Sequence, residues 1–138
     1  MLPFPVALIG GGSIACVIVR LLLEKHPQVR LVGALGLDVA RARERIDGRI
    51  PLTASLDELL SWKPRLVVEC AGHAALAEHG AGVLEHGVNL VVASVGALAR
   101  PEIERTLRNA AAASGACIRI PSGDCSRAAP WAASTAPT

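Results

Sequence analysis

The sequence predicts an α/β fold in which one parallel β-sheet is covered by helices on both faces. Short apolar runs alternate with amphipathic segments along the chain, and glycine or small polar residues follow most of the apolar runs. Hydrophobic residues make up 51% of the chain and aromatic residues only 2%, so the core is aliphatic. Parallel strands buried on both faces have this aliphatic character, and their alternation with helices is typical of right-handed crossovers. The expected fold is a Rossmann-type doubly wound parallel sheet in a single domain.

The length and charge of the chain limit its organisation and its partners. A chain of 138 residues suits one domain, which we predict over residues 1–123, with an irregular Ala/Ser/Pro tail over 124–138. The net charge of +2 comes with scattered arginines, which argues against nucleic-acid binding. No apolar run reaches the roughly 18 residues of a membrane span, and no signal peptide is recognised. A cytoplasmic protein is expected, and homo-oligomerisation is left open.

A glycine-rich turn near the N-terminus organises the prediction. Val6–Ile9 predicts a buried strand, and a helix is predicted to begin at Ser13. Gly10, Gly12 and Ala15, at this strand–helix junction, have the G-x-G-x-x-A spacing of a dinucleotide-binding turn. The first glycine permits a tight turn, the second lets the backbone approach a pyrophosphate, and the alanine lets the helix lie close to the strand. An anion would bind the free N–H groups at the helix N-terminus. The alternative is a turn that serves backbone geometry alone.

The end of the second predicted strand bears on the choice of cofactor. Val29–Leu35 predicts that strand, and an acidic residue at its end would bind the ribose hydroxyls of NAD. That place falls near Gly36, with Asp38 two residues later, and Arg41 and Arg43 follow in the next helix. Without an acidic residue there to repel a 2′-phosphate, both NAD and NADP are possible cofactors, although the arginines also fit a solvated helix face.

The remaining pattern is a regular series of strands and helices. The first helix should end near Lys25 and carry an apolar face formed by Ile14, Val17, Ile18, Leu21 and Leu22. Proline, glycine and capping residues then divide the chain. The predicted elements are a helix capped by Asp38 and running through Ile46, a weak strand or connector at Ile50–Thr53, a helix from the Ser55 cap to Trp62, a strand at Leu66–Glu69, a helix from His73 to Gly87, a strand at Asn89–Ala93, a helix from Pro101 to Ser114 and a strand at Cys117–Ile120.

Ligands of parallel sheets bind beyond the carboxyl ends of the strands. By that rule three stretches converge, namely residues 10–15, 71–73 and 94–97. His73, at a strand–helix junction, is a candidate for contact with a cofactor or a substrate carboxylate, or simply a helix N-terminal residue. His79 and His86 are expected on the surface, and their spacing of seven does not fit a zinc helix. The four cysteines form no C-x-x-C pair and are expected to be small buried side chains; no metal site is predicted.

The segments VVECAGHAALAEHG, SVGALA and PSG, in this order, resemble the N-terminal half of the L-aspartate dehydrogenase family. The resemblance implies NAD(P)-dependent oxidative deamination of L-aspartate to iminosuccinate, a reaction that feeds NAD biosynthesis. By this resemblance the glycine turn is the phosphate loop, residues 71–73 form the loop beside the cofactor ribose, and residues 94–97 form a further cofactor loop. The cofactor-binding residues implied are Gly10, Gly12, Ser13, Ile14, Ala15, Ala71, Gly72, His73, Ser94, Gly96 and Ala97.

The chain departs from the family pattern after PSG. The family continues into a second domain that carries the catalytic histidine, whereas this chain has Asp124 and then a low-complexity tail. We therefore assign no catalytic residue to this chain and expect a truncated or frame-shifted form, with L-aspartate the substrate of the full-length relative. The rival interpretations are a non-catalytic nucleotide- or CoA-binding regulatory module and a remnant that folds poorly.

Overall fold

Strands and α-helices alternate without exception through residues 3–120, which are the residues that the computed structural model describes. The strands are β1 (Phe4–Ile9), β2 (Val29–Leu35), β3 (Leu52–Thr53), β4 (Leu66–Glu69), β5 (Asn89–Val92) and β6 (Ile118–Arg119). The helices are α1 (Ser13–Lys25), α2 (Val39–Arg43), α3 (Leu56–Ser61), α4 (His73–Glu85) and α5 (Pro101–Ser114), with a 3₁₀ helix at Val95–Ala99.

The six strands form one sheet in the order β3-β2-β1-β4-β5-β6, and every neighbouring pair is parallel. The chain starts in the middle of the sheet, builds outward to β3, and then crosses to β4 on the other side of β1. This order confirms the Rossmann-type doubly wound prediction. The point where the order reverses lies between β1 and β4, and the carboxyl ends of both strands open onto it.

Helices cover both faces of the sheet, and the alternation of side chains along β1 shows the division. Val6 and Leu8 point into a cluster beneath α1, whereas Ala7 and Ile9 point into a larger cluster beneath α3, α4 and α5. The apolar positions predicted for α5 are buried in the larger cluster, namely Ile103, Leu107, Ala110 and Ala111. Both faces are thus covered by aliphatic side chains.

Helix α1 is rotated relative to the predicted apolar face, so that prediction is wrong in part. Its buried residues are Ala15 and Val19, while Ile14, Val17 and Leu21 are 62%, 46% and 44% exposed. The helix is apolar around much of its circumference, and periodicity alone does not decide which stripe faces the sheet. Ala15 decides it, because its small side chain lets the first turn pack closely in the cluster with Leu8 and Ala34.

Several element boundaries also differ from prediction. Helix α2 ends at Arg43 rather than at Ile46, which is buried from the turn that follows. β6 is limited to two residues because only Ile118 and Arg119 pair with β5. The 3₁₀ helix was not predicted, since no apolar periodicity marks so short an element.

The predicted helix caps are present. The Asp38 carboxylate accepts a hydrogen bond from the Arg41 N–H at 3.0 Å, and the Ser55 hydroxyl accepts one from the Glu58 N–H at 3.3 Å. Each cap satisfies an N–H group that the first helical turn leaves without an intrahelical partner. Local sequence therefore starts α2 and α3 as expected.

Other expectations are not settled by the fold. The predicted domain end at residue 123, the tail and Cys125 lie outside the described residues. Cys16, Cys70 and Cys117 are free thiols and half-buried, rather than fully buried as predicted. Among the helices of residues 3–120, none combines the length and the apolar character that a bilayer span needs.

Gly33 in β2 gives a test of the packing. A Cβ there would overlap ring carbons Cε3 and Cζ3 of Trp62, so Gly33→Ala forces the half-buried indole out of place. We expect the free energy of unfolding to fall by about 1–3 kcal/mol in urea denaturation. Gly48→Ala is the control, because a Cβ at Gly48 meets nothing within 4 Å. Unchanged stability of Gly33→Ala would contradict this packing.

Candidate functional site

The turn after β1 is tied to both neighbouring strands. The Gly10 N–H donates to the Leu35 carbonyl at 2.7 Å, and the Cys70 N–H donates to the Ile9 carbonyl at 2.9 Å. Gly10 has a φ of +146°, and a Cβ there would lie 2.9 Å from the Cys70 Sγ. Only glycine satisfies both the conformation and the close approach. The turn is therefore held in one place at the switch point of the sheet.

The N-terminus of α1 opens directly from this turn. Gly12 is the N-cap, no side chain caps the helix, and its first turn contains no acidic residue. The Cys16 N–H makes the first helical bond, to the Gly12 carbonyl, so the preceding N–H groups of the helix have no intrahelical partner. A Cβ at Gly12 would meet no atom within 4 Å. This arrangement provides N–H donors, a favourable helix dipole and open space for an anion.

A cavity of about 560 Å³ lies beyond the carboxyl ends of β1, β2 and β4, and the α1 N-terminus forms part of its wall. The glycine turn and the start of α1 line one side, the segment after β2 lines a second, and the start of α4 lines a third. The volume is in the range of small-molecule and cofactor sites. Its lining fits a ligand with a central anionic group flanked by less polar parts.

The segment after β2 carries charge of both signs toward the cavity. Asp38, Arg41 and Arg45 line it, and Leu37 is 90% exposed beside them. The Asp38 carboxylate is engaged at one oxygen by the Arg41 N–H. Arg43, predicted as a companion of Arg41, has a different role, because its guanidinium donates to the Ile50 carbonyl at 2.8 Å and to the Asp47 carbonyl at 3.3 Å.

Helix α4 closes the cavity on the opposite side. Ala74, Ala75, Glu78 and His79 line it. The predicted surface position of His79 is therefore wrong, since its side chain is only 12% exposed and one nitrogen lies 3.7 Å from the Glu78 carboxylate. His79 lies one turn after Ala75 on the same helix face, which places it at the cavity wall rather than in solvent. His86 is exposed, as predicted.

Cys70 contributes a neutral thiol to the wall. Burial, together with the neighbouring Glu69 carboxylate, raises the pKa of this thiol to about 11. Its Sγ donates to the Ile9 carbonyl at 3.5 Å. A thiol with such a pKa stays protonated near neutral pH, so Cys70 fills space and is a poor nucleophile.

A buried carboxylate joins two of the predicted loops. Glu69, the last residue of β4, is 0% exposed. Its Oε2 accepts hydrogen bonds from the Ala71 and Gly72 N–H groups, both at 2.9 Å, and from the Ser94 hydroxyl at 2.8 Å. Its Oε1 accepts one from the Ser94 N–H at 3.0 Å. The loops after β4 and β5 are thus bound to one side chain.

The structure brings the predicted site residues together in two groups. Gly10, Gly12, Ser13, Ile14 and Ala71 line the cavity itself. The others lie outside its lining. Ala15 is buried on the sheet-facing side of α1, Ala97 is buried in the core, Gly72 and Ser94 are held by Glu69, and His73 and Gly96 lie close together.

The contact between His73 and Gly96 is close. A Cβ on Gly96 would lie 3.1 Å from the His73 Nε2. A side chain at Gly96 would therefore crowd the His73 imidazole. His73 itself is exposed at the start of α4.

Sequence reasoning missed Arg45, His79 and Glu69 as residues of this region. Glu69 had a signal, because an acidic residue at the end of an otherwise aliphatic strand needs hydrogen-bond donors if it is buried. Arg45 and His79 had none, since their approach to the cavity depends on how α2 and α4 pack against the sheet.

Comparison with known proteins places this geometry in a family. Residues 10–121 match the family model described as the NAD-binding domain of homoserine dehydrogenase. L-aspartate dehydrogenase 1 of Bordetella parapertussis is 46% identical over 121 residues, which are 88% of this chain and 45% of that protein. L-aspartate dehydrogenase 2 of Bordetella bronchiseptica is 41% identical over 118 residues, which are 86% of this chain and 44% of that protein.

Solved structures agree with the fold. The structure of GenD2 from gentamicin A biosynthesis in complex with NAD superposes on this chain with a TM-score of 0.72 at 25% identity. The match covers 87% of this chain and 34% of the GenD2 chain. This chain spans about 45% of the length of the dehydrogenases that it matches. Since the family model matches most of the chain, the protein belongs to the homoserine dehydrogenase NAD-binding domain family, with a Rossmann-type fold and an NAD(P) site.

Proposed function

We propose that this chain binds NAD or NADP at the glycine turn and is the cofactor-binding half of an L-aspartate dehydrogenase. The observation that carries the proposal is the uncapped N-terminus of α1, which opens at Gly12 onto a cavity of about 560 Å³. Identity of 46% to L-aspartate dehydrogenase 1 of Bordetella parapertussis supports the choice of enzyme over a regulatory module. The pyrophosphate would lie against the first N–H groups of α1.

The cavity suits the pyrophosphate and the adenosine half of the cofactor. In a doubly wound sheet the phosphates lie at the first βα turn, and the end of β2 meets the ribose of the adenosine half. Asp38 and Arg41 stand on that side, and Ala74, Ala75 and His79 of α4 face them. The nicotinamide half then extends toward the loops after β4 and β5.

The charges after β2 bear on the choice between NAD and NADP. An acidic residue at the end of β2 would repel a 2′-phosphate, but Gly36 occupies this place. Arg41 and Arg45 both line the cavity beside it. One Asp38 oxygen is already engaged in capping α2. We infer that the site accepts NADP as well as NAD, with Arg41 contacting the 2′-phosphate.

The reaction proposed for the whole enzyme is oxidation of L-aspartate to iminosuccinate, in the service of NAD biosynthesis. The bound nicotinamide supplies a hydride acceptor. This chain's residues hold that ring in place, whereas the substrate needs groups that bind two carboxylates and accept the amine proton. Within the stretches 10–15, 71–73 and 94–97, His73 is the only histidine, and there is no Lys, Arg, Asp or Glu. Binding the two carboxylates and accepting the amine proton therefore require residues outside these stretches.

The first test is turnover by the 138-residue chain. We expect NADH and NADPH to bind, and L-aspartate to cause no measurable reduction of NAD or NADP, because nothing in the three stretches holds the two carboxylates. Absorbance at the reduced-nicotinamide band measures turnover, and nicotinamide fluorescence on the same sample shows that the cofactor is bound. Aspartate-dependent reduction that disappears in His73→Ala would prove this division of roles wrong.

The second test concerns the phosphate position. Gly12→Val places a branched side chain where the pyrophosphate would lie, and we expect at least about tenfold weaker binding of NADH and NADPH. Folding should be unaffected, because Gly12 has an ordinary negative φ of −93° and open space at its Cβ. Gly48→Val, at an equally open glycine outside the site, is the matched control. Undiminished binding by Gly12→Val would move the site elsewhere.

The third test separates the two arginines of α2. Arg41→Ala should weaken NADPH binding several-fold, about 1 kcal/mol for an exposed ion pair, and leave NADH binding nearly unchanged. Arg43→Ala should lower thermal stability through loss of its bonds to the Asp47 and Ile50 carbonyls, without changing the ratio of the two affinities. Equal effects of Arg41→Ala on both cofactors would rule out a 2′-phosphate contact.

A further inference from the structure

Glu69 is the buried charge of the sheet. Within the part of the chain that the structure describes, Thr53 and Glu69 are the two buried polar or charged residues, and Glu69 alone of them is ionisable. Burying a carboxylate is costly unless hydrogen bonds replace its lost water. Four donors do so here, at 2.8 to 3.0 Å. The side chain is therefore held in a single arrangement.

The four donors belong to two separate loops. Ala71 and Gly72 follow β4, and Ser94 follows β5, 25 residues from Glu69 along the chain. Gly72 has a φ of +122° and is the N-cap of α4, so Glu69 also fixes how that helix begins. The His73 imidazole also lies beside Gly96, so the same two loops approach each other at a second place.

We propose that Glu69 is a positioning residue that binds these two loops into one rigid rim for the nicotinamide half of the cofactor. The inference rests on the proposed dinucleotide site. Glu69 itself does not line the cavity, but Ala71, which it holds, does, and Glu69 ties Ala71 to the loop after β5 through the Ser94 N–H. A purely structural role would weaken every ligand alike, whereas a positioning role weakens ligands that reach the rim.

Glu69→Gln is the primary variant. The amide retains one oxygen and turns an NH₂ group toward N–H and O–H donors, so at least one donor loses its partner. Ser94→Ala is the milder variant, because it removes the hydroxyl bond to Oε2 and keeps the Ser94 N–H bond to Oε1. Ser94→Thr restores a hydroxyl and should rescue the defect. Thr53→Val is the matched control, since it removes a buried side-chain partner of the Ser55 N–H on the far side of the sheet.

The measurements are the affinities of the full chain for NADH, NADPH and ADP by isothermal titration, and amide hydrogen exchange by NMR. ADP carries the adenosine and pyrophosphate but lacks the nicotinamide riboside. For Glu69→Gln we expect dinucleotide affinity to fall about tenfold and ADP affinity to change by less than about threefold. The Ala71, Gly72 and Ser94 amides should exchange faster together, while amides of β1 keep their protection.

Each outcome has a definite meaning. Selective loss of dinucleotide affinity in Glu69→Gln or Ser94→Ala, with rescue by Ser94→Thr, supports the inference. An equal loss for ADP and the dinucleotides, or the same selectivity in Thr53→Val, would overturn it and leave the proposed function standing. If Glu69→Gln does not fold, the two Ser94 variants decide the question. A parent protein that binds neither dinucleotide overturns the proposed function and, with it, the inference.

Discussion

The central strand β1 is the constraint from which the site follows. It pairs with β2 on one edge and β4 on the other, and its side chains are buried in a separate cluster on each face. Pairing on both edges and packing on both faces fix the position at which the chain leaves β1. Because all the strands are parallel, their carboxyl ends share one edge, and the chain reverses its order beside β1. The glycine turn, the α1 N-terminus and the cavity all lie at that point.

Two kinds of physical constraint shape the loops at this edge. At Gly10 the constraint is steric, since a positive φ and the nearby Cys70 Sγ leave no room for a side chain. At Glu69 it is electrostatic, since a buried carboxylate keeps its four donors in place. The first constraint shapes the place proposed for the phosphates, and the second shapes the rim beside it. A cofactor that crosses the switch point would meet both.

The arginines of the second crossover show how packing divides similar residues. Arg41 and Arg43 are two positions apart in α2, yet Arg41 lines the cavity and Arg43 donates to backbone carbonyls of the following turn. Residues two apart on a helix face different directions. Arg45, in the turn that follows α2, also lines the cavity. One crossover thus provides both a candidate phosphate contact and a structural clamp.

Sequence alone determined the features that depend on neighbouring residues. Aliphatic runs, proline and glycine breaks and the caps at Asp38 and Ser55 predicted the strands, the helices and the glycine turn, and parallel topology predicted which loops converge. Tertiary structure alone decided which stripe of α1 faces the sheet, why His79 reaches the cavity, and which donors surround Glu69. These depend on close packing and on partners far along the chain, such as Ser94 for Glu69. Local periodicity carries no information about such contacts, because burial and distance are set only when the elements meet.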